Sequence, residues 1–405
     1  MNELRQAVLP RPWLGLSGGD RWAIDAALAL QAAGWKTTIW TSRHVRAEAA
    51  FPETLDGRVP IEVRAETKRA AGLWDRCRVW RMIFRQRALL KAMKREGQNP
   101  QLVVCDVLPH VVPLARRLWP AATVLVYCHY PDKLMASAGG WLYRLYRVPL
   151  DSLERRGLAA ADCLVANSRF TAAAIRAAFP SLANHGLPVV YPGVGLPSLP
   201  ARCDQASGER VFLTVSRFDP RKGLALAVES FAALRTHLTA EEFARCRLVM
   251  AGGYDDQLGE VRMVFAALRR QAECAGVAAQ VEFHLNVNGE ALEHLWSRAF
   301  AVVHPMDGEH FGIVPVEAMM RGLPVLAVNR GGPCETIVDG ATGALRPAEA
   351  EAFARVMAEW FQAPGKARVW GAAGERRAKA CFSHESFSEK LMAAVDVAVA
   401  RRALR

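Results

Sequence analysis

His304-Pro305-Met306-Asp307-Gly308-Glu309-His310-Phe311-Gly312-Ile313-Val314-Pro315-Val316-Glu317-Ala318-Met319-Met320 decides the reading of this chain. The apolar run Ala301–His304 before it reads as a strand, and the segment itself closes on a helical pattern. Pro315 suits the first helical position, because it has no N–H to leave unpaired. The Gly312–Val314 backbone can then turn N–H groups toward an anion such as phosphate. Glu317, in the first turn, is set to accept hydrogen bonds from sugar or ribose hydroxyls, and Glu309 reaches in from the loop. Next comes Pro324–Val328, a second strand, which ends in the pair Gly331-Gly332.

The same alternation extends in both directions. Strands are expected at 37–40, 102–105, 123–127, 163–166, 189–191, 211–215, 247–251 and 281–283, besides the two above. Helical patterns lie between them at 20–34, 74–95, 168–179, 224–238, 258–274 and 350–361. Strand–helix–strand order argues for parallel α/β sheets. At 405 residues the chain exceeds one core, and the Pro/Gly/Ser-rich stretch 183–210 is the best boundary. We therefore expect Rossmann-like, doubly wound domains over 1–195 and 196–375, facing each other across a ligand cleft at the carboxyl ends of their strands.

Three further segments fall at such ends. Val215-Ser216-Arg217-Phe218-Asp219-Pro220-Arg221-Lys222-Gly223 offers Arg217, which can grip two phosphate oxygens, and Lys222 as a point charge; by itself it also fits two solvated basic residues. Tyr127-Cys128-His129-Tyr130-Pro131-Asp132 puts a histidine at the cleft, with a purely structural histidine as the equal alternative. Gly15-Leu16-Ser17-Gly18-Gly19-Asp20 precedes a helix and could cradle an anion, but Pro10 and Pro12 argue against a strand before it, and a plain turn fits as well.

Several classes are excluded. The nine cysteines never lie closer than 23 residues, which rules out a zinc knuckle, a CxxC pair and a dense disulfide framework. DxD, HExxH and GxSxG are absent, and Asp255-Asp256 have no third ligand nearby, so no metal or cofactor is expected. No stretch approaches the ~18–20 charge-free residues of a membrane span, which fits a soluble chain or one lying on a membrane.

The net charge of +12 admits nucleic acid, an anionic membrane or a polyanionic substrate. Residues Arg64–Arg95 alone carry +9 of it. They place Leu73, Cys77, Trp80 and Phe84 at helical spacing, with Trp74 nearby and the cluster Trp141–Arg147 as a second aromatic–Arg group. Such a helix suits the bilayer interface, with Trp74, Trp80, Phe84 and Trp141 facing the membrane; its alternative is an ordinary surface helix packed on its own domain. A nucleic-acid-binding protein is the non-enzyme alternative, disfavoured by the paired Glu309/Glu317 and Arg217/Lys222 sets.

Together these segments resemble the retaining GT-B glycosyltransferases of glycosyltransferase family 4. The blocks YCHYPDKLMA, WLYRLYRVPLDSLE, ADCLVANSRFT, VVYPGV, LVMAGGYDD, EHFGIVPVEAMM, NRGGPCETI and FSHESFSEKL further resemble its mannosyltransferases of dolichol-linked oligosaccharide synthesis, in order from about residue 15 to 391. The resemblance implies a GT-B fold whose residues 376–405 cross back to the N-terminal domain. It implies GDP-mannose as donor and a dolichyl- or polyprenyl-diphosphate chitobiose–mannose acceptor, extended by α-1,3 and α-1,6 transfer in N-glycan precursor assembly. The implied donor site is Arg217, Lys222, Gly252, Gly253, Glu309, Phe311, Gly312, Ile313, Val314 and Glu317, with His129, Glu309, Arg217 and Lys222 catalytic. Gly18, Gly19, Asp20 and Asp132 would form an acceptor or phosphate loop. The family's Gly-Gly-Ala-Glu-Arg is Gly18-Gly19-Asp20-Arg21 here, one residue shorter, so the role of that glutamate does not carry over. A related bacterial-type transferase with another nucleotide sugar or another lipid or polysaccharide acceptor is the enzyme alternative. The implied location is the cytosolic face of the endoplasmic reticulum, or of the bacterial inner membrane, with other transferases of the pathway as partners.

Overall fold

A computed structural model describes residues 5–15, 17–44, 51–65, 77–136, 140–183, 185–195 and 208–404. The chain forms two compact units, one of residues 1–193 with 384–405 and the other of 194–383.

Among the described residues the first unit holds six strands: β1 (Gln6–Arg11), β2 (Lys36–Thr41), β3 (Ile61–Val63), β4 (Leu102–Cys105), β5 (Thr123–Cys128) and β6 (Cys163–Ala166). The second holds β7 (Arg210–Val215), β8 (Cys246–Gly252), β9 (Val281–Leu285), β10 (Ala299–His304), β11 (Val325–Val328) and β12 (Gly343–Arg346). Every pairing is parallel, and the orders are β3-β2-β1-β4-β5-β6 and β12-β11-β10-β7-β8-β9. Counted along its own strands, each sheet has the Rossmann order 3-2-1-4-5-6. Chain direction across the sheet reverses between β1 and β4 and between β7 and β10. Ligands of such sheets bind beyond the strand ends at those two points.

The strands are apolar because both faces are covered. In the first unit one face packs Trp22, Trp35, Phe387 and Leu391, and the other packs Trp119, Leu150, Leu158 and Phe179. The helix His384–Ala403 thus completes this core through Phe387, Leu391 and Val395. The second unit packs Phe212, Phe231, Phe353 and Trp360.

Several expectations change. β1 is a full strand despite Pro10. It pairs with β4 only through Ala7 and Val8, so Pro10 lies beyond that ladder, and its carbonyl is taken by the Gln86 side chain at 2.8 Å. Residues 189–191 form no strand, only an isolated bridge between Ala166 and Val189. The basic helix runs Arg78–Arg95, and Trp74 lies outside the described residues. Its Ile83, Leu89, Leu90 and Met93 are buried in the first unit's core, and Val79, Trp80 and Met82 pack against it. Most of its apolar stripe therefore serves its own fold. Phe84, stacked on Trp80, remains exposed.

Candidate active site

At the first unit's reversal point, Arg11 ends β1 and Asp106 follows β4. The Arg11 guanidinium donates to the Asp106 carboxylate, to the Gly19 carbonyl at 3.0 Å and to Asp20 Oδ1 at 2.9 Å. Both ion pairs are almost wholly buried. Asp20 Oδ2 also accepts from the Ser17 N–H at 2.9 Å and hydroxyl at 2.6 Å, closing a capping box on the helix Gly18–Ala32. Asp20 is thus the counter-ion of Arg11 and a helix cap, with its oxygens occupied, rather than a free contact in a phosphate loop. Gly18 has open space where a side chain would stand, and Gly19 lies against His129.

His129 follows β5. Its Nε2 lies 3.4 Å from Asp106 Oδ2, and its ring meets Trp22 and Tyr127 at steep angles. The Tyr127 hydroxyl donates to the Val190 carbonyl at 2.7 Å, which anchors this aromatic wall. Arg11 and Asp106 are the residues the sequence reading passed over. The signal for Asp106 was present, a carboxylate directly after an apolar strand, whereas Arg11 was hidden by the discounted strand.

Asp132 does not join this group. Its Oδ2 accepts from Arg147 Nη1 at 2.8 Å, and Arg147 also binds Asp151 at 2.6 Å, which fixes the loop to the helix Trp141–Ala159. Beneath it Glu154 accepts from the Asp132 and Lys133 N–H groups at 2.7 and 3.0 Å. Burial raises the Glu154 carboxyl to about 7 and lowers the neighbouring His110 ring to about 4.

At the second unit's reversal point, β7 and β10 present the other expected residues. Lys222 ends the turn Pro220–Lys222, and its ammonium binds Glu309 Oε2 at 3.0 Å. Met306 Sδ lies 3.1 Å from the same nitrogen. His304, at the end of β10, places Nε2 3.6 Å from Glu309 Oε2. Burial works against its charge, but the His304 ring and the Lys222 ammonium hold the Glu309 carboxyl well below the usual range. Arg217 stands largely in solvent with one Nη 3.8 Å from Asp219. Arg221 grips Asp219 more closely, at 2.9 and 3.0 Å, and that hydrogen bonding lowers the Asp219 carboxyl to about 2.

Glycines set these approaches. Gly223 has φ 63°, and a Cβ there would stand 2.6 Å from the Pro305 carbonyl, which presses the Lys222 turn onto the β10 loop. Gly252 has φ 153°, with the Ser216 carbonyl 1.9 Å from where a Cβ would be. Gly253 lies under the Arg217 side chain. The Gly331-Gly332 pair backs the Glu309 loop, with the Gly332 N–H donating to the Glu309 carbonyl at 2.6 Å.

The helix Ile313–Met320 starts after Gly312, so Pro315 is its third residue rather than its first, and Glu317 opens the second turn. Proline fits there because the first-turn N–H groups have no intrahelical partner, and those of Ile313 and Val314 point outward from the helix end. The Phe311 side chain is buried in ring contact with Phe382, so this residue offers the site only its backbone. Arg321 binds Glu293 and donates to the Glu317 carbonyl at 3.0 Å, and no described residue donates to the Glu317 carboxylate. Burial raises that carboxyl to about 7. It is an acceptor with nothing yet to accept from.

Residues 16–196 match the model of Glycosyltransferase Family 4, and residues 200–377 match that of Glycosyl transferases group 1. The chain is 33% identical to the α-1,3/1,6-mannosyltransferase ALG2 of Homo sapiens over 392 residues, 94% of this chain and 93% of that one. It is 31% identical to the Schizosaccharomyces pombe α-1,3/1,6-mannosyltransferase over 401 residues, 94% and 78% of the two chains. Among solved structures it is similar to sucrose-phosphate synthase from Thermosynechococcus elongatus, with TM-score 0.78 and 21% identity over 97% of this chain and 98% of that one. It is also similar to WaaG, a glycosyltransferase of lipopolysaccharide biosynthesis, with TM-score 0.68 and 18% identity over 97% and 99%. Two parallel Rossmann sheets of this order, matched along nearly the whole chain, make the fold GT-B and place the protein in the group 1 glycosyltransferases of family 4.

Proposed function

We propose that this enzyme is a retaining mannosyltransferase that moves mannose from GDP-mannose to a polyprenyl- or dolichyl-diphosphate chitobiose–mannose acceptor, forming α-1,3 and α-1,6 linkages in N-glycan precursor assembly. The observation that carries the reading is the likeness, along 94% of this chain, to α-1,3/1,6-mannosyltransferases.

In this reading Arg217 and Lys222 hold the donor diphosphate, with the free N–H groups of Ile313 and Val314 as further donors. Their charge stabilises the departing GDP, and each charge-assisted bond is worth ~1.5–3 kcal/mol. Lys222 is already held at the site by Glu309. Glu309, kept ionised, orients the hydroxyls of the donor sugar. The unpartnered Glu317 carboxylate accepts from the ribose hydroxyls. His129, beside Asp106 at the strand ends of the first unit, is the histidine this reading assigns to catalysis. The acceptor hydroxyl attacks on the face from which GDP leaves.

The lipid acceptor calls for a membrane surface, and no helix among the described residues is long and apolar enough to cross one. The helix Trp141–Ala159 suits peripheral contact. Trp141 (73% exposed), Leu142, Leu145 and Val148 lie bare beside exposed Arg144, Arg155 and Arg156. Together with Phe84 they form the proposed docking surface, on the cytosolic face of the endoplasmic reticulum or of a bacterial inner membrane.

The test incubates the enzyme with a lipid-linked chitobiose–mannose acceptor and either GDP-mannose or UDP-glucose, with products read by mass spectrometry. Mannosylated product from GDP-mannose alone supports the reading. Hexose transfer from UDP-glucose in preference overturns it.

A further inference from the structure

We propose that His110, Asp132 and Glu154 form a binding site for a divalent transition-metal ion, of the zinc class, in the N-terminal unit. Three separate elements bring the ligands together. His110 lies in the short turn Pro109–Val111 after β4, Asp132 at the start of the short helix Asp132–Met135 after β5, and Glu154 on the helix Trp141–Ala159. One ligand atom from each lies within 4.8 Å of the others.

His110 supplies the most pointed observation. It is 3% exposed, and neither ring nitrogen has a hydrogen-bond partner among the described residues. Leaving a buried polar atom unsatisfied costs about 1–3 kcal/mol, so a neutral imidazole in this position calls for a ligand. The ring cannot simply swing out, because its turn is clamped. A Cβ on Gly157 would stand 1.8 Å from the Pro109 carbonyl, so helix and turn meet backbone to backbone.

Glu154, 1% exposed, is oriented by the two N–H groups it accepts from, Asp132 and Lys133, and each oxygen keeps a lone pair. Asp132 is held by Arg147 through one oxygen. Such fixed outer partners are what orients ligands around a metal.

Charge gives a second, independent reason. The cluster holds the carboxylates of Asp132, Asp151 and Glu154 against one cation, Arg147. The nearby Lys133 ammonium instead donates to the Ala178 carbonyl at 2.8 Å and lies over the Phe179 ring. With all three carboxylates ionised the cluster carries −2, which one divalent ion neutralises. A water could satisfy His110 but would leave that charge. One imidazole and two carboxylates suit Zn²⁺ or Co²⁺ better than Mg²⁺, which prefers oxygen ligands and retains its waters. Because Asp132 lies three residues after His129, an ion here would brace the loop that carries His129.

The experiment uses the tag-free full chain after chelator treatment. Zn²⁺ and Co²⁺ are titrated calorimetrically into wild type, His110→Ala, His110→Gln and Glu154→Gln, and the Co²⁺ complex is examined by visible absorption. The proposal expects one ion per wild-type chain with Kd on the order of 1 µM or tighter. It also expects d–d bands of a four- or five-coordinate ion and a loss of about 100-fold in affinity in each variant. His110→Gln keeps the side-chain volume, and circular dichroism confirms that each variant is folded. Equal affinity in wild type and both His110 variants would assign binding to other residues, such as the exposed Cys274 or Cys334, and overturn the proposal. Failure of the wild type to bind either ion overturns it too. Neither outcome touches the mannosyltransferase reading, because no readout depends on the donor or acceptor.

Discussion

Lys222 and Glu309 stand 87 positions apart in the chain and meet at 3.0 Å beside β10. Removing the ammonium alone, as in Lys222→Met, leaves a mostly buried carboxylate with the His310 N–H on one oxygen and His304 near the other. We expect kcat/KM to fall by about 10²–10³, the usual cost of losing one transition-state donor, as measured by released GDP. Glu309→Gln added to that variant should cost less than the sum of the single changes, since the pair acts as a unit. A fully additive double mutant would separate the two roles. Glu317 makes the opposite prediction. Its carboxyl is raised to about 7 by burial, so the fold favours the protonated form. Its stabilising contribution is complete below the unfolded value near 4.5 and is lost as pH rises through about 7. Glu317→Gln should therefore be more stable than wild type at pH 8, by on the order of 2 kcal/mol in urea unfolding. The same change should weaken donor binding, and in the wild type the KM for donor should rise as pH falls below about 7, where the acceptor carboxylate is lost. A more stable, less active variant is the usual mark of a functional group held at a cost to the fold.

Elements explain which residues could be recognised beforehand. β4 and β6 were legible to the residue because LVVC and CLVA are short apolar runs bounded by polar positions. β1 was not, because proline ordinarily disqualifies a central strand. Only the staggered pairing, which ends at Val8 on the β4 side, makes room for Pro10. With β1 set aside, Arg11 could not be seen as a strand-end residue, and its ion pair with Asp106 depends on a partner 95 positions away. Local pattern does not encode that distance. Glu309, Arg217 and Lys222 could be placed in loops or turns beforehand because Gly and Pro mark those segments, whereas Glu317 lies on the helix Ile313–Met320. The register of Pro315 and Glu317 was off by part of a turn, since Gly312 in a left-handed conformation begins the helix earlier than proline alone suggests. The glycine approaches belong to this scale as well. Gly252→Ala would drive a Cβ into the Ser216 carbonyl and push apart the ends of β7 and β8. A loss of more than about 3 kcal/mol is expected by denaturant midpoint. Donor affinity should fall with it, because Arg217 follows Ser216 directly.

For the molecule as a whole, the +12 charge is separable from the chemistry. The catalytic proposal uses Arg217 and Lys222, whereas the proposed membrane contact uses the bare face of the helix Trp141–Ala159. Replacing Trp141 and Leu145 together by Ser should reduce co-sedimentation with anionic vesicles several-fold and leave nucleotide affinity unchanged, since both side chains are exposed. Raised salt should weaken that binding further, about 1 kcal/mol of attraction being at stake for each basic residue near the surface. Unchanged sedimentation of the double variant would remove this helix from the membrane reading.

The helix His384–Ala403 belongs to the first unit's core although it follows the whole of the second unit in the chain. During synthesis, residues 194–383 emerge as a continuous stretch and can reach their fold unaided. The earlier unit must wait with the places of Phe387, Leu391 and Val395 unfilled until the ribosome has passed them. The part made first is thus the part finished last. A chain truncated after residue 383 should present a protease-resistant second unit joined to a first unit that is still susceptible.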